Sequence, residues 1–229
     1  MVHLSTSQLR KSGLQAVVFD MDGVIIDSHP LHRVAWRQFL GKLGKDVDDV
    51  TLDFVLDGRT RKDILFHFLG PLTDEQLEEH GHHKDELLSN LDDEVQPIPG
   101  VVEFLDGLSE AGIAMALATS ASRGRALGTL KELGLAQYFQ AIVTADEVVA
   151  GKPDPHIYSL AAERLRVAPG NLLAVEDAVS GVRSALAAGM RCAGIAKAAR
   201  AELLLAAGAN PVVPDFRGLS FEQLEAVFQ

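Results

Sequence analysis

Asp20 and Asp22 stand two residues apart in Asp20-Met21-Asp22-Gly23-Val24, directly after the apolar run Ala16-Val17-Val18-Phe19. Burying one carboxylate there without a partner is costly, and two repel each other. A hard cation resolves both problems, since Mg²⁺ takes carboxylates together with substrate phosphate and water. A solvated turn would also accept the pair, so Asp20 and Asp22 alone leave both readings open. Gly23 allows a sharp turn of the backbone behind them. Three further clusters have the same setting. Thr119-Ser120-Ala121-Ser122 lies between an apolar run and a helical stretch, where hydroxyls and free N–H groups suit an anion or simply cap the helix. Gly151-Lys152-Pro153-Asp154-Pro155 holds a lysine in a restricted backbone, either as a point charge for phosphate or as an exposed turn. Glu176-Asp177 adds two acids that complete a metal site, or places Asp177 as a helix cap.

The elements that must position these clusters are short, β-rich apolar runs at 16–19, 113–118, 141–143, 171–175 and 191–195. Continuous apolar runs of this length suit strands buried on both faces. Amphipathic stretches at 101–111, 122–133, 155–165 and 179–188 are long enough for helices, and Gly112, Gly134 and Gly189 stand where helix C-caps belong. Such alternation predicts an α/β fold with a Rossmann-like parallel sheet flanked by helices. Ligands of open parallel sheets bind beyond the carboxyl ends of the strands. All four clusters fall at those ends, so the expectation is one shared metal–phosphate site. Residues 30–95 break the rhythm and read as helices at 29–43, 61–69 and 73–91, with Thr73 and Gln76 spaced as a capping box. The predicted organisation is a core of residues 14–29 and 96–229 with an inserted α-helical cap domain at 30–95, joined by crossings near Ser28 and Gln96.

A chain of 229 residues suits such a core with one insert. The net charge of −11 repels nucleic acid and anionic lipid, so neither is expected as a partner. It repels phosphorylated metabolites too, so an anionic substrate requires local cations or a metal. The single cysteine, Cys192, excludes an intrachain disulfide and reads as a buried thiol. Residues 1–13 lack the apolar region of a signal peptide, and no apolar run reaches about 18 residues. The expectation is a soluble, cytoplasmic monomer.

In this order, Asp20-Met21-Asp22-Gly23-Val24, Thr119-Ser120, Gly151-Lys152-Pro153-Asp154 and Glu176-Asp177 resemble the haloacid dehalogenase superfamily, in particular its β-phosphoglucomutase-like phosphatases and mutases. The resemblance spans nearly the whole chain and implies a Rossmann-like core with a helical cap inserted after the first strand. It implies that Asp20 is a nucleophile and Asp22 a general acid and base, the second aspartate separating phosphotransferases from dehalogenases. It implies Mg²⁺ held by Asp20, the backbone carbonyl of Asp22 and Asp177, with Glu176 close by, and a phosphate clamp of Thr119, Ser120 and Lys152. In the cap, His32, Trp36 and Arg61 line up with a His, a Trp and an Arg of the mutases, the Arg there binding the non-reacting phosphate. The mutases' cap lysine aligns here with Leu87, leaving Lys84 most of a turn away. His80, His82 and His83 read as an exposed helix end. The implied activity is hydrolysis of small sugar phosphates, a small phosphorylated metabolite being the partner. A β-phosphoglucomutase and a catalytically silent binding module are the alternatives.

Overall fold

A computed structural model of the chain describes residues 13–91 and 95–228. The reading of residues 1–13 therefore lies outside the described residues except for Gly13, as does the part of the 30–95 insert at 92–94.

Six parallel strands form one sheet: β1 (Ala16–Phe19), β2 (Ala114–Thr119), β3 (Ala141–Thr144), β4 (Leu172–Glu176), β5 (Arg191–Ile195) and β6 (Val212–Val213), in the order β3-β2-β1-β4-β5-β6. β1 lies between β2 and β4, and every one of its residues is buried, as its unbroken apolar run requires. Side chains alternate across the sheet. Val17 and Phe19 join one core layer with Phe104, Leu105 and Phe216, while Ala16 and Val18 join the other with Tyr158, Ala161 and Val182. The register sets Phe19 beside Leu117 on one side and Val175 on the other. The next residues of β1, β2 and β4 thus emerge side by side, and this adjacency gathers the polar clusters.

The segment from His29 to Ser89 is built of helices joined by loops. It contains α1 (His29–Lys42), α2 (Asp49–Leu52), a 3-10 turn (Asp53–Leu56), α3 (Arg61–Leu69) and α4 (Asp74–Ser89). Thr60 and Thr73 cap α3 and α4 through reciprocal capping boxes with Asp63 and Gln76, so each helix start satisfies its own free N–H groups. The segment buries its own apolar cluster of Trp36, Phe39, Leu40, Leu52, Val55, Ile64 and Leu65. Burial of such side chains contributes about 1.5–3 kcal/mol each, enough for the helices to pack on one another. Its two connections to the sheet run side by side: Asp27 N–H donates to the Gln96 carbonyl at 2.8 Å and Ile98 N–H to the Ile25 carbonyl at 2.9 Å.

The core helices follow their strands: α5 (Val101–Glu110), α6 (Arg123–Glu132), α7 (His156–Leu165), α8 (Val179–Ala187), α9 (Ala198–Ala207) and α10 (Phe221–Val227). Gly112, Gly134 and Gly189 have positive φ after α5, α6 and α8, as their C-cap positions predict. The sequence pattern did not reveal α2 or β6. Both are too short for a hydrophobic period to register, and β6 is boxed between Pro211 and Pro214. No helix among the described residues is long and apolar enough to cross a membrane.

Candidate active site

Asp20 follows β1, and its N–H donates to the Val175 carbonyl of β4 at 3.0 Å. Lys152, on the loop after β3, reaches under the strand ends and is fully buried. Its Nζ donates to Asp20 Oδ1 at 2.6 Å, Glu176 Oε1 at 2.6 Å and the Ala118 carbonyl at 3.1 Å, which uses all three ammonium protons. Glu176, the last residue of β4, has no exposed surface. Its Oε2 accepts N–H groups of Asp177 at 3.1 Å and Ala178 at 3.4 Å, while Oε1 accepts Lys152 and the Tyr158 hydroxyl. A Cβ on Gly181 would stand 2.0 Å from the Glu176 carboxyl carbon, so only glycine leaves room for this acid. Gly23 has a like constraint, with φ +77° and Asp177 Oδ2 2.5 Å from where a Cβ would lie.

Carboxylate oxygens of Asp20, Glu176 and Asp177 lie within 4.8 Å of one another, all buried. Burial pushes the Asp20 carboxyl well above the usual range; Lys152 opposes this, and Glu176 and Asp177 reinforce it. Burial works against the Lys152 ammonium, yet Asp20 and Glu176 outweigh it and raise its pKa. His29 Nε2 stands 3.1 Å from Asp177 Oδ2; burial opposes its protonation, but Asp177 prevails and raises its pKa. Arg200 Nη2 lies 3.2 Å from the same oxygen. Lys152 is shared by Asp20 and Glu176, while Asp177 has His29 and Arg200 at its side, and the three acids still bring hard oxygen donors to one buried point. That donor set fits a divalent cation, which would remove the electrostatic obstacle to ionising Asp20.

Asp22 points away from this group. Arg125, in the first turn of α6, binds it through two parallel bonds of 2.7 Å, Ser28 Oγ donates to it, and His32 Nε2 lies 3.3 Å away. Burial opposes ionisation of Asp22, but Arg125 and then His32 hold its carboxyl well below the usual range. Its side chain is thus absent from the carboxylate trio and is held instead by Arg125, Ser28 and His32. Ser120 Oγ donates to the Gly58 carbonyl at 2.7 Å. Thr119 is buried, and its Oγ1 accepts the Ala121 N–H at 3.1 Å, so that hydroxyl shapes the turn leading to Ser120.

Above these groups lies a chamber of about 410 Å³ between the sheet's carboxyl edge and the helical segment. Asp20, Asp22, Asp177 and Ser120 form its floor; His32, Trp36, Arg61, Lys84 and Leu65 contribute from the other side. The two sides meet closely. Ser180 Oγ donates to the Asp57 carbonyl, and a Cβ on Gly151 would stand 2.2 Å from Thr60 Cγ2. Arg61 pairs with Asp85, and a Cβ on Gly81 would press on its Nε at 2.6 Å, so that glycine makes room for the guanidinium. Burial, then Lys84, lowers the His32 pKa to about 4, so the ring is neutral. The reading of His80, His82 and His83 as an exposed helix end is corrected: all three lie within α4, and only His82 is exposed, while His80 and His83 are half-buried with their rings edge-on to Phe39. Cys192 is buried, as the sequence suggests.

One register is corrected. Lys84, not Leu87, faces the chamber, with its Nζ 5.5 Å over the Trp36 ring, while Leu87 packs on the apolar cluster around Trp36 and Phe39. Gly81, Lys84 and Leu88 are the buried residues of α4, a stripe that its packing fixes. Arg125, His29 and Arg200 were also not read from sequence as site residues. Arg125 has a visible cue in its place one turn beyond Ser122.

The sequence model of haloacid dehalogenase-like hydrolases matches residues 14–189. The chain is 35% identical to the phosphorylated carbohydrates phosphatase of Thermotoga maritima, covering 77% of this chain and 82% of that one. It is 36% identical to a fructose-1-phosphate phosphatase of Escherichia coli, covering 76% and 92%. The crystal structure of a β-phosphoglucomutase from Clostridium difficile superposes with a TM-score of 0.85 at 28% identity, covering 94% of this chain and 97% of that one.

Proposed function

From the premise that this chain belongs to the haloacid dehalogenase-like hydrolases, we propose that it is a phosphoric monoester hydrolase acting on small sugar phosphates, with Asp20 as its nucleophile and Mg²⁺ as its metal. The observation that carries this reading is the convergence of Asp20, Lys152, Glu176 and Asp177 on one buried point beneath the chamber. Bound Mg²⁺, held by Asp20, the Asp22 carbonyl and Asp177 with Glu176 beside them, would neutralise charge on the phosphate oxygens.

The residues divide the rest of the work. Ser120 and Lys152 orient the phosphate, with Thr119 shaping the clamp, and Lys152 turns a proton toward an oxygen that gains charge in the transition state. An oxygen of Asp20 bonds to phosphorus as the bond to the leaving oxygen breaks. Asp22, protonated, donates to that oxygen. Water then attacks the aspartyl-phosphate, Asp22 takes its proton, and phosphate leaves while Asp20 is restored. In the structure Arg125 holds Asp22 ionised. The form described is therefore a resting one, and the acid role requires Arg125 to yield. The helical segment acts as a cap hinged at the two paired connections around Asp27 and Gln96 and excludes bulk water when closed.

Phosphate release from a panel of sugar phosphates tests this, with Mg²⁺ and with chelator. Release that requires the ion is expected; no release from any substrate would return the silent module.

Lys84 favours a second reading, a β-phosphoglucomutase, because with Arg61 it puts two cap cations where a second phosphate would sit. Burial, then Arg125, lowers its pKa to about 8. Below that value the ammonium attracts a second anion; above it the amine is neutral. Affinity for glucose 1,6-bisphosphate should therefore fall about tenfold between pH 7 and 9, and Lys84→Met should flatten the profile, as read by calorimetry. Coupled formation of glucose 6-phosphate from glucose 1-phosphate, without phosphate release, would identify the mutase.

A further inference from the structure

Tyr158 lies on α7, beneath the sheet, and has no exposed surface. It does not line the chamber and touches no position where substrate would sit. Its hydroxyl nonetheless donates to Glu176 Oε1 at 2.6 Å, the oxygen that also accepts Lys152 at 2.6 Å. Its ring face lies under the same ammonium, with Nζ 5.1 Å from the centroid. Tyr158 therefore holds Lys152 in two ways, by cation–π attraction and by fixing the acceptor to which Lys152 is anchored.

We propose that Tyr158 is a positioning residue for Lys152, acting through Glu176. All three ammonium protons of Lys152 are in use, on Asp20, Glu176 and the Ala118 carbonyl. To meet a phosphate, Lys152 must turn one proton away from Asp20, and Glu176 and Ala118 are then its remaining anchors. The two backbone N–H groups hold Oε2 of Glu176, and Tyr158 is the donor that keeps Oε1 aimed at the lysine. Without that hydroxyl the carboxylate can rotate toward the ammonium, and Lys152 follows it away from the reacting phosphate.

The inference rests on the phosphatase reading for its kinetic consequence, but not for its geometry. Tyr158→Phe keeps the ring and removes the hydroxyl; Tyr158→Leu removes both. In Tyr158→Phe, kcat for the best sugar phosphate should fall roughly tenfold per folded molecule, with KM within about twofold, because the lost alignment matters most as charge builds on the transferring oxygens. Tyr158→Leu should lose more. In the ¹⁵N spectrum of the lysine side chains, the slowly exchanging Lys152 ammonium signal should shift and exchange faster in Tyr158→Phe. An unchanged kcat, or an unchanged ammonium signal, would overturn the proposal. If the wild-type protein hydrolysed no phosphate ester, the phosphatase reading would fail, while the ammonium signal would still decide whether Tyr158 positions Lys152.

Discussion

Asp20→Asn is expected to reduce phosphate release by on the order of 10³-fold or more and to leave no phosphoenzyme after acid quenching of a single turnover. The magnitude follows from removing the nucleophile itself, because positioning and charge on the phosphate then have nothing to assist. The substitution is nearly isosteric, and Asn can still offer its carbonyl oxygen to Lys152 at the place now held by Asp20 Oδ1. It also removes a carboxylate whose ionisation is opposed by burial and by Glu176 and Asp177. The melting temperature should therefore hold or rise, and this separates lost chemistry from lost fold. Retained turnover in Asp20→Asn would end the assignment.

Lys152→Met should cost both activity and fold. It leaves Asp20 and Glu176 buried with no ammonium between them, and breaking a buried ion pair in this way costs about 3–5 kcal/mol. Loss of the charge that meets the transferring phosphate removes a further factor of about 10²–10³ in kcat. The pH dependence has a definite sign. A carboxyl with a folded pKa above its unfolded value binds more protons in the native state, so stability falls as pH rises through that range. The Asp20 carboxyl is already raised with Lys152 present. Without Lys152 it rises further, so urea melts of the variant should lose stability more steeply than the wild type as pH rises above the usual carboxylate range. An equal slope in both proteins would show that the lysine does not set the charge state of the nucleophile.

The parts of this site that were legible in the sequence are those fixed by the backbone. Asp20, Thr119, Ser120, Glu176 and Asp177 directly follow or end strands, and a strand's end can be read from its apolar run and the residue after it. Parallel neighbours then bring these residues together whatever their side chains do. The helical insert was legible because residues 30–91 offer capping signals and no β-rich run. What was not legible depends on rotation about a helix axis. Lys84 and Leu87 differ by most of a turn, and only the packing of α4 on Trp36 and Arg61 decides which faces inward. Arg125, Arg200 and His29 reach the acids with long or terminal side chains from helix starts, and the same residue types stand at helix starts across many surfaces with no partner. Tyr158 reads in the sequence as plain core, which its ring is; only the hydroxyl at the far end of that ring meets the buried charge of Glu176.

The chain has one tryptophan, and it forms part of the chamber wall. Trp36 is 1% exposed, with Phe39 edge-on to its indole and the Lys84 ammonium over its face. Excited beyond the absorption of the two tyrosines, its fluorescence therefore comes from one place in the molecule, and any ligand that draws the ammonium off the ring changes the field on the excited indole. The protein thus contains an intrinsic optical reporter of chamber occupancy, one that needs no label and responds before any bond is broken.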